Sequence, residues 1–148
     1  MAVEDTFAIQ VLLARFANSF DLKDWDGLRE CLADQLDTDY SDLRGTPPQR
    51  LSAVEYVQAR RKALDGLKTH HLSGNVEIRY DDPLSATCRV STVIWRKSET
   101  EAFDTHCVYT FKVTKINHHD WKIGFIKQQV LWNDGQPAIH AGAVGSVR

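Results

Sequence analysis

Apolar and polar positions follow two different periods along this chain, helical in the first part and alternating in the second. Between residues 4 and 20 the apolar side chains Phe7, Leu12, Leu13, Phe16 and Phe20 mix three- and four-residue spacings, which predicts an amphipathic helix. Residues 24–33 predict a second, short helix, with Asp24 at its N-cap and Trp25, Leu28 and Leu32 in one stripe. Residues 36–41 alternate and predict a short strand. The run Arg44-Gly45-Thr46-Pro47-Pro48 predicts a loop, because two prolines and a glycine break regular structure. Ser52 and Glu55 have capping-box spacing and open a third helix that runs to Leu64.

From residue 68 the period is two. Strands are expected at 69–80, 85–97, 102–116 and 121–133, separated by the turn signals Asp81-Asp82-Pro83, Lys97-Ser98-Glu99-Thr100 and Asn117-His118-His119-Asp120. Antiparallel strands this long twist and curl. Helices followed by such a sheet make an α+β architecture, in which three N-terminal helices close the concave face of the sheet around a pocket. One domain is expected over 1–148, with its core at about 4–133. The small, Gly/Ala-rich residues 134–148 are read as a tail, with a flap over the pocket mouth as the alternative.

Composition narrows the functional classes. A chain of 148 residues can bury a core without a disulfide or metal staple. Its net charge of -2 is spread along the chain, which leaves no footprint for nucleic acid and no basic amphipathic face for a membrane surface. Cys31, Cys88 and Cys107 form no paired or metal-ligating spacing and are expected to be reduced and buried. No leader-like segment or membrane-length apolar run is present in the sequence, so a soluble cytoplasmic protein is expected. His118-His119 read as a solvated hairpin tip, and no HExxH, GxSxG or Gly-rich phosphate loop occurs.

Several segments carry a family likeness. Phe20-Asp21-Leu22-Lys23-Asp24-Trp25-Asp26-Gly27-Leu28-Arg29, Thr38-Asp39-Tyr40-Ser41, Leu67-Lys68-Thr69-His70-His71-Leu72-Ser73-Gly74, Asp120-Trp121-Lys122-Ile123 and the later Trp132 occur in that order. Over about residues 10 to 133 they resemble the scytalone dehydratases of the NTF2-like, SnoaL-like superfamily. The resemblance implies a cone-shaped NTF2-like fold and dehydration of a cyclic, polyketide-derived hydroxyketone. It also implies no metal and no cofactor, and a homo-oligomer (a trimer, with a dimer as the alternative). It places Asp21 on the family's active-site aspartate, His71 on the histidine it orients, and Tyr40 on one of two carbonyl-positioning tyrosines. Phe20 stands where the second tyrosine is expected. The family's second histidine falls near Trp95 or Arg96, and its asparagine near Thr110. His106, in phase with Val108 and Thr110, joins this set of candidate substrate contacts.

These residue types suit α-proton chemistry. A histidine ordinarily titrates near ~6.5 and can take and return a proton. A carboxylate on its other nitrogen fixes the tautomer, and a tyrosine hydroxyl can stabilise an enolate. Three readings stand side by side: a dehydratase, an isomerase or cyclase using the same acid–base pair, and a non-catalytic small-molecule-binding module. Without the resemblance, Asp21 reads first as a solvated helix end; for His71 a backbone-satisfied strand residue and for Tyr40 simple packing are the alternatives.

Overall fold

The computed structural model describes residues 3–118 and 120–140. Helix α1 spans Val3–Asp21 and α2 spans Trp25–Glu30. Strand β1 (Leu32–Asp39) follows, then the one-turn helix α3 (Ser41–Arg44), strand β2 (Gln49–Ser52) and helix α4 (Ala53–Leu64). Four long strands come next: β3 (Lys68–Asp82), β4 (Ser85–Lys97), β5 (Ala102–Asn117) and β6 (Asp120–Gly135). A single 3-10 turn, Pro137–Ile139, follows them.

The six strands form one curled sheet in the order β2-β1-β6-β5-β4-β3. The long strands pair antiparallel, and β1 joins the edge of β6 in parallel, with Thr38 opposite Ile126. The concave face takes alternate residues of β4 (Ala86, Cys88, Val90, Ile94) and of β5 (Cys107, Tyr109, Phe111, Val113), all buried. Helix α1 lies against it. Phe16 meets Phe111 edge-on at 5.1 Å, and Leu12, Leu13 and Phe20 extend the contact. Two polar links fix the helix in register. The buried Asp5 carboxylate accepts from the Trp121 indole at 3.0 Å and pairs with Lys115, and the Thr6 and Tyr80 hydroxyls meet at 2.8 Å.

Some boundaries differ from the sequence reading. Ile9, fully buried, takes the place expected of Phe7, which is 67% exposed on the outer side of α1. Helix α2 ends at Glu30 because the next turn is drawn into the sheet: Ile123 N–H donates to Cys31 O, and Leu32 pairs with Ile123. The expected strand at 36–41 therefore starts earlier and ends at Asp39. The loop at 44–48 is flanked by α3 and by β2, which pairs with β1 through Leu36 and Leu51.

Asp24 caps α2 by accepting from Gly27 N–H. Ser52 and Glu55 form the expected reciprocal capping box on α4. Ser52→Ala is expected to cost about 1 kcal/mol, read as a lower midpoint in urea unfolding.

The C-terminal segment turns back onto the protein. Strand β6 runs to Gly135, whose φ of +100° and approach to Ala102 O leave no room for a Cβ. His140, after the 3-10 turn, is buried. Residues 135–140 thus pack back against the protein; residues 141–148 of the expected tail or flap lie outside the described residues.

Candidate active site

The end of α1 sets the first group. Asp24 N–H donates to Ser19 O and Lys23 N–H to Phe20 O, with Lys23 at φ +53°. This is a Schellman closure, which normally prefers glycine at the left-handed position. Lys23 is held there by its ammonium, which donates to the carbonyls of Leu64 and Asp65 after α4. The closure leaves Asp21 in the last turn, where the helix dipole disfavours a carboxylate. Three donors from β3 compensate. His71 N–H donates to Oδ2 at 2.7 Å, Thr69 Oγ1–H to Oδ1 at 3.0 Å, and His71 Nδ1 lies 2.6 Å from Oδ1.

An ionised carboxylate only accepts, so Nδ1 carries the proton and the lone pair of a neutral imidazole is on Nε2. Phe20 stacks on the imidazole with centroids 5.2 Å apart, and the His71 side chain is 6% exposed. Aspartate, ring and backbone thus hold the histidine in one orientation.

The wall of the hollow beside His71 is made by Phe20, Tyr40, Leu43, Arg44, Arg60, Leu64, Ile94, Arg96, Tyr109, Gln128 and His140. The Tyr40 hydroxyl meets the Tyr56 hydroxyl at 2.6 Å, and Gln128 Nε2 donates to the Tyr109 hydroxyl at 3.2 Å. Burial raises the phenols of Tyr56 and Tyr109 well above their usual range. Both are therefore neutral hydrogen-bonding groups at physiological pH. The free space inside this wall is about 20 Å3, room for about one water.

Of the residues expected at the site, Asp21, His71, Tyr40, Phe20 and Arg96 come together here. Trp95, His106 and Thr110 do not. Trp95 is 40% exposed and packs against His70 on the convex face. His106 stacks on Trp132 at 4.1 Å, and Thr110 lines an outer groove with Glu77 and Arg89. The cause is strand parity: neighbouring residues point to opposite faces, so the concave residues of β5 are Thr105, Cys107 and Tyr109.

Tyr56, Arg44, Arg60, Tyr109, Gln128 and His140 were missed. Tyr109 had a sequence signal, since it lies in the apolar phase of β5 with Phe103, Phe111 and Val113. The arginines had none, because an arginine is expected at the surface.

A wider groove of about 670 Å3 lies on the outer side of α1, between Phe7, Val11 and Trp121. Four of its charges are paired, Arg15 with Glu30 and Lys122 with Asp120, and neither Asp21 nor His71 lines it.

All three cysteines are free and buried. Burial pushes the Cys31 and Cys107 thiols up to about 11 and Cys88 to about 12. Iodoacetamide is expected to leave the native protein unlabelled over a period that fully labels the unfolded chain, as read by intact mass. Among the described residues no three ligating side chains cluster as a metal site, and no helix is long and apolar enough to cross a membrane. His119, half of the hairpin-tip pair, lies outside the described residues.

A curled sheet closed by helices over a carboxylate-oriented histidine defines an α+β pocket protein of the NTF2-like superfamily. Residues 1–127 match the SnoaL-like domain, and the chain belongs to that family. It is 35% identical to the scytalone dehydratase of Colletotrichum orbiculare over 142 residues, covering 88% of this chain and 76% of that protein. It is 36% identical over 78 residues to a scytalone dehydratase-like protein of Passalora fulva, covering 53% of this chain and 44% of that protein. The second match thus spans less than half the length of the relative. In structure it is similar to the Kfla4162 protein of Kribbella flavida, with a TM-score of 0.84 at 19% identity over 91% of this chain and 95% of that one.

Proposed function

We propose that the protein is a cofactor-independent dehydratase that removes water from a cyclic hydroxyketone. The observation that carries this reading is the Asp21–His71 contact at 2.6 Å, with the imidazole stacked on Phe20 beside the hollow. In the proposed reaction Nε2 of His71 takes the proton α to the substrate carbonyl. Asp21 holds the Nδ1 proton and stabilises the imidazolium. The Tyr40 hydroxyl, itself bonded to Tyr56, donates to the enolate oxygen. The enolate then re-forms the carbonyl as the β C–O bond breaks. The departing hydroxide takes the proton from Nε2 and leaves as water, so the histidine ends as it began.

Phe20 supplies no second hydroxyl; Tyr109, on the wall of the hollow, offers one in its place. The similarity to scytalone dehydratases supports an elimination, and the family fold is compatible with other substrates. Substrate entry requires the flap carrying His140 to move, because the closed hollow admits only about one water.

The test is a panel of cyclic hydroxyketones incubated with the purified chain, with products followed by mass. Loss of one water is the expected result, and an unchanged mass with a moved double bond would point to an isomerase instead. One observation favours a non-catalytic binding module: the small free space. Ligand capture by the panel without any product would establish that alternative.

A further inference from the structure

Three guanidinium groups converge on the hollow, and the described residues supply no anion for them. Arg96 projects inward from β4, 3% exposed, with Nη1 donating to Thr105 Oγ1 at 2.8 Å. Arg60 projects from α4, 7% exposed. Arg44, at the end of α3, lies 4.2 Å over the Tyr40 ring, and its Nε is buried with no hydrogen-bond partner. None of the three forms an ion pair with a carboxylate among the described residues. Asp21, which holds His71 beside the hollow, is occupied by Thr69 and by the His71 ring and backbone.

Burial and mutual repulsion both weaken the hold of Arg44 and Arg96 on their protons, and Arg96 falls to about 10. Guanidinium groups keep their charge in proteins, and at about 10 Arg96 is still a cation at neutral pH. Buried charge of one sign is stable only with a counter-charge or a dense set of hydrogen bonds. Contacts with Tyr40, Phe103 and Thr105 satisfy a minor part of that need.

We propose that the natural substrate is an anion, a cyclic compound whose carboxylate is bound by Arg44, Arg60 and Arg96. The proposal rests on the dehydratase reading for its site and adds the substrate class. A planar carboxylate accepts two in-plane bonds from one guanidinium and leaves its ring to the aromatic wall of Phe20, Tyr40 and Tyr109. Anchoring the acid on the arginines turns the rest of the ring toward His71. A neutral hydroxyketone would leave the three charges unmatched.

Two measurements on the full chain test this. In calorimetric titration benzoate is expected to bind at least ten-fold more tightly than benzamide or inorganic phosphate, and Arg60→Gln and Arg96→Gln are each expected to weaken benzoate by ten-fold or more. Equal binding of benzoate and benzamide, absence of benzoate binding, or equal binding of phosphate would overturn the proposal. Without ligand, Arg60→Met and Arg96→Met are expected to raise Tm by about 3 °C, because each removes an unmatched buried charge. A fall in Tm in both variants would mean that the arginines are already satisfied, and would overturn it too.

The catalytic reading fails separately. His71→Ala is expected to keep benzoate binding within three-fold while losing turnover. Binding retained alongside undiminished turnover would sink the acid–base role and leave the anion site standing.

Discussion

His71→Ala is expected to lower turnover on the true substrate by about 10³-fold, with far-UV and near-UV circular dichroism unchanged. The substitution removes the imidazole that Asp21 orients beside the hollow. Asp21→Asn is expected to lose about 10²–10⁴-fold by a different route. The amide can present its NH2 group to Nδ1, which would move the imidazole proton to Nε2, where the lone pair is needed. Because Asp21 also accepts from Thr69 and from the His71 backbone, this variant should be less stable as well. Rates are therefore compared at a temperature where both proteins are fully folded. Retention of more than a tenth of the native rate by His71→Ala would rule out the proton-transfer scheme.

The largest effect on stability is expected from Phe16→Ala, at about 3–5 kcal/mol and roughly 10 °C in Tm. Phe16 is the hub of the aromatic core, edge-on to Phe20, Tyr109 and Phe111 at 5.1, 6.3 and 5.1 Å. Its loss opens a cavity between helix and sheet and loosens Phe20, the ring that stacks on His71. Activity at low temperature should fall further than the folded fraction alone requires. Phe7→Ala on the same helix removes a ring of the same size from an exposed position and should change stability by about 0.5 kcal/mol or less. Chemical denaturation of the two variants side by side decides the point. Similar losses in both would contradict the packing described for α1.

These contrasts show what the chain discloses before its structure is known. The capping box at Ser52 and the four long strands are local and legible, because capping and two-residue alternation are written in adjacent residues. Phe7 and Ile9 exchanged roles because α1 offers apolar residues on more than one side, and only the sheet beneath decides which side is covered. The contact between Asp21 and His71 joins positions 50 residues apart. Nothing in the spacing of the two announces it, and only family resemblance brought them together. Arg44 and Arg60 were invisible for a physical reason: general preference puts such side chains in water, and a binding site is where that preference is overridden. His106 and Thr110 lie on the convex face, and the sequence carried a signal for it, since Phe103, Tyr109, Phe111 and Val113 mark the other phase of the same strand as the buried one.

Strand β3 forms one border of the sheet, with only β4 beside it, and its pairing slips between Gly74 and Glu77, where Asn75 adopts φ +50°. A long, level border would be a template on which an identical chain could stack and start a fibril. The kink at Asn75 cuts this border into two short lengths. Glu77, Arg79, Asp81 and Asp82 bring opposing and repelling charges to one of them, so neither length is a ready seed for intermolecular β-growth.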